Sequence, residues 1–203
     1  MNKRKSQQGV GMMEVLVSLL LLAIAVLGFV GLQLRAVGAA NESLNKIQAM
    51  NIARDFAERI RINPYAFTLL DKNNAPITND TTKSAYAKAV EEYRALTTSH
   101  TWGSCIGISD CTSANMAIED VKQVVDKANQ QGMTINILPC AASITTTDVN
   151  GESTTSSTNL NSGRSCIYVA WDTTTATEGS GNNDCTLYGK LKDNSKCIVV
   201  ETY

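Results

Sequence analysis

The stretch Gly9-Val10-Gly11-Met12-Met13-Glu14, followed without a break by VLVSLLLLAIAVLGFVGLQL at residues 15–34, decides how the chain is read. Twenty residues without a charge separate Glu14 from Arg35. At about 1.5 Å of rise each they make a helix of roughly 30 Å, the thickness of a bilayer's hydrocarbon core. The run is too long for the h-region of an ordinary secretory signal, and no Ala-x-Ala-like site follows it, so the expectation is a membrane-spanning helix that stays on the protein.

Ahead of that run, residues 1–9 form a short basic leader carrying Lys3, Arg4 and Lys5 and ending in Gly9, and Glu14 stands five residues on as a lone carboxylate at the edge of the apolar helix. This arrangement resembles the type IV prepilin, or class III, signal. The resemblance implies that a prepilin peptidase cuts on the cytoplasmic side between Gly9 and Val10, methylates the new Val10 amine and leaves the helix in place. Glu14 then becomes the fifth residue of the processed chain and its assembly carboxylate. Val10 departs from the pattern, because the family usually has Phe there. The competing reading is a basic flank on an ordinary transmembrane helix, with Glu14 an incidental interfacial charge. Against it stands the cost of a charge in hydrocarbon, about 2.5–3.5 kcal/mol at mid-membrane and less at the edge.

The leader positives also orient the chain, with the N-terminus in the cytoplasm and the bulk in the periplasm. Formal charge is −1, with a sequence pI of about 5.9, and no dense Lys/Arg run exists, which is poor material for a nucleic-acid footprint. Aromatic residues are only 5% of the 203, so something besides core burial is expected to hold the domain together. Six cysteines beyond an exporting helix fit disulfides in an oxidising compartment.

Helical periodicity continues past Arg35 until Asn63-Pro64 stops it. Val37, Ala40, Leu44 and Ile47 share one face, whereas Ala53, Phe56 and Ile60 lie nearly opposite Ile47 at about 100° per residue. Either the helix is buried twice, first against neighbouring subunits and then against its own domain, or it bends around residues 48–51. The glycines at 28, 31 and 38 favour either local melting or close helix approach. The organisation is therefore a leader at 1–9, a long helix at 10–63 with 15–34 as its transmembrane or filament-core part, and a periplasmic globular domain at 64–203.

Within that domain residues 65–101 are polar, with a helical patch at 84–96. An amphipathic helix is expected from Ala114 to Asn129, with Ile118, Val121, Val124 and Val125 on its apolar side and Gly132 ending it. Strands are expected at 134–138, 166–171 and 197–203. Residues 143–165 and 173–184, dense in Thr, Ser, Asn and Gly, read as loops, the first as a mobile hairpin loop. Fifteen disulfide pairings are open to six cysteines. Proximity favours Cys105 with Cys111, Cys140 with Cys166 across neighbouring strands, and Cys185 with Cys197.

The run from Glu14 to Gln33, Gln48-Ala49, and Ala57-Glu58-Arg59-Ile60-Arg61 ahead of Asn63-Pro64 together resemble the minor pilins called PilV, or type IV pilus modification protein. Roughly the first third matches closely and the rest in outline. The implied fold is an α+β pilin-like roll, a long N-terminal α-helix packed on an antiparallel β-sheet. The implied function is that of a minor pilin in pilus assembly or initiation, twitching motility and adhesion. Its implied partners are other minor and major pilins, the prepilin peptidase, the inner-membrane assembly platform and the membrane itself. It would be a single-pass inner-membrane protein that passes into the pilus.

Catalytic chemistry is not expected. Ser43-Leu44-Asn45-Lys46 fits Ser-x-x-Lys but lacks companion motifs, and no Gly-x-Ser-x-Gly or P-loop is present. No cofactor or metal is expected either. Cys-x5-Cys is not zinc spacing, and His100, the single histidine, lies in a polar stretch. Glu178, Asn182, Asn183 and Asp184 could supply oxygens to calcium, although one acidic loop without EF-hand spacing reads equally as a turn. Two other functions remain open, a minor pseudopilin of type II secretion and a single-span anchored adhesin or receptor.

Overall fold

The computed structural model describes residues 11–67, 84–95, 105, 111–147, 150, 153–159 and 164–202. The chain divides into two units, residues 1–44 and 45–203. Helix α1 runs unbroken from Met12 to Ile62 and so contributes to both. In the first unit every described residue is exposed, including the whole apolar run.

In the second unit α1 acquires a buried face. Ala49, Ile52, Ala53, Phe56 and Ile60 recur at three- and four-residue spacing and are all buried, while Val37, Leu44 and Ile47 of the earlier stripe stay exposed. Pro64 ends the helix, since a residue ahead of proline is pushed out of the α region. Proline suits the first position of a helix, and Pro64 there opens the four-residue α2, Pro64–Phe67. Helix α3, Ala85–Ala95, starts on Ser84, whose Oγ accepts the Ala87 N–H at 3.1 Å. Helix α4, Ser113–Gln130, is capped likewise by Thr112, which accepts from the Asn115 N–H at 3.2 Å. Its end falls at Gly132, whose φ of 69° suits a residue without a Cβ. Val121, Val124 and Val125 are buried with Ala117 and Ala128, and Ile118 is half-buried.

Among the described residues eight strands follow: β1 Met133–Pro139, β2 Ala141–Thr147, β3 Ser153–Asn159, β4 Ser165–Trp171, β5 Thr175–Glu178, β6 Asp184–Leu187, β7 Lys190–Leu191 and β8 Cys197–Thr202. The central sheet has the order β1-β4-β8 and is antiparallel, with Met133 opposite Trp171 and Ser165 opposite Thr202. Side chains alternate across it. Met133, Ile135, Ile137, Ile167, Val169, Trp171 and Ile198 join the buried residues of α1, α2, α3 and α4 in one core. Cys166, Tyr168, Ala170 and Cys197 face the other way and form a second, smaller core with Cys140, Ala176 and Cys185. A sheet covered on both faces explains why β4 and β8 read as apolar runs rather than as alternating sequence.

A long N-terminal helix with packed β-sheets is the α+β arrangement of the pilin fold. Its sheets, however, number three among the described residues rather than one. Residues 143–165, read above as a loop, instead contain most of a hairpin in which β2 and β3 pair antiparallel from Ala141 opposite Asn159 to Thr147 opposite Ser153. Residues 173–184 likewise contain β5, which pairs parallel with β6, itself antiparallel to β7. Both misreadings have one cause. These strands are rich in Ser and Thr and lack apolar alternation, but threonine is β-branched and favours extended backbone. The Thr145 and Thr155 hydroxyls meet across the ribbon at 3.3 Å.

The second core holds few large apolar side chains and two disulfides, Cys140–Cys166 and Cys185–Cys197, the latter spanning β6 and β8. Removing the β6–β8 bridge in a Cys185→Ser/Cys197→Ser double variant is expected to cost about 2–4 kcal/mol. Urea unfolding followed by far-UV circular dichroism would measure it. A loss below about 0.5 kcal/mol would mean that the second layer holds without the bridge.

Candidate assembly surface

Two features of α1 bear on function, an exposed apolar surface and a polar clamp at its base. The first runs from Met12 to Leu34. All its leucines, isoleucines and valines are exposed, and α1 is the one helix among the described residues long and apolar enough to cross a membrane. A patch of this size in a soluble environment marks a membrane or protein contact. Glu14 lies in the first turn of α1, exposed, with its own N–H donating to the Gly11 carbonyl at 2.9 Å. A carboxylate there also complements the positive end of the helix dipole. Gly9 and Val10, the sequence-derived cleavage and methylation positions, lie outside the described residues, as does His100.

The clamp fixes α1 to α4 and α3. Arg59 Nε donates to Asp55 at 3.0 Å, one turn earlier, and its Nη1 donates to Asp120 at 2.9 Å and to Gln123 at 3.0 Å. Lys127 donates to the other Asp55 oxygen at 3.1 Å. The Tyr86 hydroxyl donates to Asp120 at 2.8 Å, and its ring meets Phe56 edge-on with centroids 5.8 Å apart. Asn63 closes the end by donating to the Ser113 carbonyl at 2.8 Å. Burial alone would raise the Asp55 pKa, but hydrogen bonds from Arg59 and Lys127, and their charges, outweigh it and hold the carboxyl below its ordinary value. Burial raises the Tyr86 pKa, and the Asp120 carboxylate adds to the rise. Tyr93, which donates to Asp126, is pushed up to about 12 by burial and by that carboxylate. Of this network only the i, i+4 pair Asp55–Arg59 has a sequence signal. The Asp120 and Tyr86 partners lie far along the chain and carry none.

The structure joins the six cysteines as Cys105–Cys111, Cys140–Cys166 and Cys185–Cys197. Of the four residues weighed for calcium, Asp184 and Glu178 have other uses. The Asp184 carboxylate accepts from the Gly181 N–H at 2.7 Å and from Thr177, and those bonds, led by Thr177, lower its pKa. A Cβ added at Gly179 or Gly181 would come within 2.6 or 2.8 Å of Asp184 Oδ2, so a larger residue at either position would displace that carboxylate. Glu178 accepts from Thr186 and from the Gly189 N–H at 3.1 Å. Both carboxylates thus hold the β5–β6 turn. Ser43 and Lys46 sit on the exposed surface of α1.

A tyrosine whose pKa is higher folded than unfolded stabilises the fold fully below its unfolded value and loses that contribution as pH rises toward the folded one. The melting temperature is therefore expected to fall from about pH 10 upward, where free tyrosine ionises. A Tyr86→Phe/Tyr93→Phe variant should show a flatter alkaline limb. An equally steep limb in the variant would place the alkaline loss elsewhere.

No curated protein and no solved structure matches the chain. One family model does, described as Tt1218-like, type IV pilin Tt1218, over residues 31–122. The match runs from the middle of α1 to the first half of α4 and therefore includes most of the clamp. With the long helix, the packed sheets and the disulfides, it supports the chain's being a type IV pilin.

Proposed function

We propose that this chain is a minor, PilV-type subunit of a bacterial type IV pilus. It would be cleaved between Gly9 and Val10, methylated on Val10, held in the inner membrane by α1 and then drawn into the filament through the same helix. The role is structural rather than catalytic, with initiation of assembly, and through it twitching motility and adhesion, as the contribution to the cell. The observation that carries the reading is the fully exposed apolar surface of residues 12–34, on a chain matched from residue 31 by a type IV pilin family.

Glu14 has a specific task in this reading. Cleavage would expose an α-amine four residues ahead of it, and both groups would leave water once helices pack together. An unpaired ion in such surroundings is penalised by several kcal/mol, and pairing removes most of that. A carboxylate of one subunit meeting the amine of its neighbour would also fix the axial step between them.

Intact mass of the purified protein should correspond to a chain starting at methylated Val10. A retained Met1 leader would favour the anchored adhesin or receptor and sink this reading. The Glu14→Ala variant should be cleaved and inserted normally, since Gly9 and the apolar run are untouched, yet be depleted about tenfold or more from sheared pili. Immunoblots of pilus and membrane fractions would measure it. Normal recovery in pili would leave Glu14 as an incidental interfacial charge, and loss of exoprotein secretion without loss of pili would point to the secretion pseudopilus.

A further inference from the structure

The β2–β3 ribbon pairs with no other strand among the described residues, so its hold on the domain lies at its root. There Cys140, the one residue between β1 and β2, is joined to Cys166 near the start of β4. The Cys140 N–H donates to the Arg164 carbonyl at 3.3 Å, just ahead of β4. At the end of β8 the Thr202 hydroxyl donates to the Ser165 carbonyl at 3.1 Å. The Cys140–Cys166 bridge is the covalent part of this root.

A charge stands beside it. In the β4–β8 register Cys166 is opposite Glu201, and directly opposed residues turn their side chains to the same face of a sheet. A carboxylate oxygen of Glu201 and the sulfurs of Cys140 and Cys166 all lie within 4.8 Å of one another. The two cysteines are 2% and 5% exposed, whereas Glu201 is open to solvent and pairs with Arg164 Nη1 at 3.6 Å. The Cys185–Cys197 bridge is as deeply buried, its cysteines 0% and 5% exposed, but among the described residues no His, Asp or Glu stands so close to both of its sulfurs.

We propose that Glu201 is an electrostatic guard on the Cys140–Cys166 bridge, turning away anionic thiols and leaving the bridge open to cationic ones. A small thiol opens a disulfide as its thiolate, which attacks one sulfur, forms a mixed disulfide and expels the other sulfur as a thiolate that then takes a proton. A second thiolate of the reagent attacks the mixed disulfide. Two molecules of the thiol are thereby oxidised to their disulfide, while Cys140 and Cys166 gain two electrons and two protons. The incoming and the expelled sulfur are both anionic, and a carboxylate this close to the pair disfavours each. A thiol carrying a further negative group is disfavoured again, and one carrying an ammonium is drawn toward Glu201. Arg164 offsets part of this field, since its guanidinium pairs with the same carboxylate.

The test reduces the full chain in detergent micelles with mercaptoethanesulfonate, an anionic thiol, and with cysteamine, a cationic one, at equal thiolate concentration. Alkylation of the freed thiols followed by peptide mass spectrometry gives the rate at each bridge. The Cys185–Cys197 rate in the same sample is the reference, which cancels each reagent's intrinsic reactivity and any general loosening of the fold. Relative to it, Cys140–Cys166 should prefer the cationic reagent by about fivefold, and Glu201→Gln should bring that preference close to unity. Arg164→Gln should widen it. Raising the ionic strength should shrink it in the unaltered chain, a measurement that needs no variant to fold. Equal relative rates with the two reagents in the unaltered chain, a preference that survives Glu201→Gln, or one indifferent to salt would each overturn the proposal.

Discussion

The Phe56 ring set edge-on against Tyr86 lies at the centre of the buried stripe, Ala49, Ile52, Ala53, Phe56 and Ile60, by which α1 enters its domain. Along residues 12–44 every residue of α1 is exposed, and the apolar sequence of its first part favours lipid or other helices. From Ala49 onward a different face turns apolar and is buried. A phenol taken into that core must satisfy its hydroxyl, since an unmet buried donor costs about 1–3 kcal/mol. Asp120 accepts it, and a partly buried Asp120 in turn needs Arg59, which is oriented by Asp55, which is held by Lys127. Each group in the series completes the one before it, and together they tie α1, α3 and α4 into the layer that covers the sheet.

The opposite face of the same sheet is built on another principle. Its strands present Tyr168, small residues and sulfur, with Asn136 donating to the Ala176 carbonyl at 3.0 Å. Such a layer cannot rely on apolar area alone. Covalent bridges take over where side-chain volume is scarce, in a chain whose aromatic residues are only 5%.

Legibility in the sequence followed burial. Helices α1 and α4 could be placed to within a residue or two, because each buries one stripe and carries a local stop or cap in Pro64, Thr112 or Gly132. Strands β1, β4 and β8 were visible as apolar runs because both their faces are covered. The hairpin β2–β3 and the small sheet β5–β7 were invisible, since hydroxyl-rich strands without an apolar face look like loops. The presence of disulfides followed from an even cysteine count beyond an exporting helix. The clamp was not legible, because Arg59 and Asp120 are 61 positions apart and nothing local marks either one. Glu14 and Gly9 acquired meaning only from their resemblance to a signal, not from spacing by itself.

The direction of the α1 clamp has a mechanical consequence. Asp55 meets Lys127 while Arg59, one turn further on, meets Asp120 and Gln123, so α1 and α4 run antiparallel, with their ties spread along a shared length. Tension applied along α1 loads those ties and the buried stripe beside them in shear, and the rupture of one does not peel open the next. A helix seated this way resists being drawn out of its domain more strongly than one held at a single end.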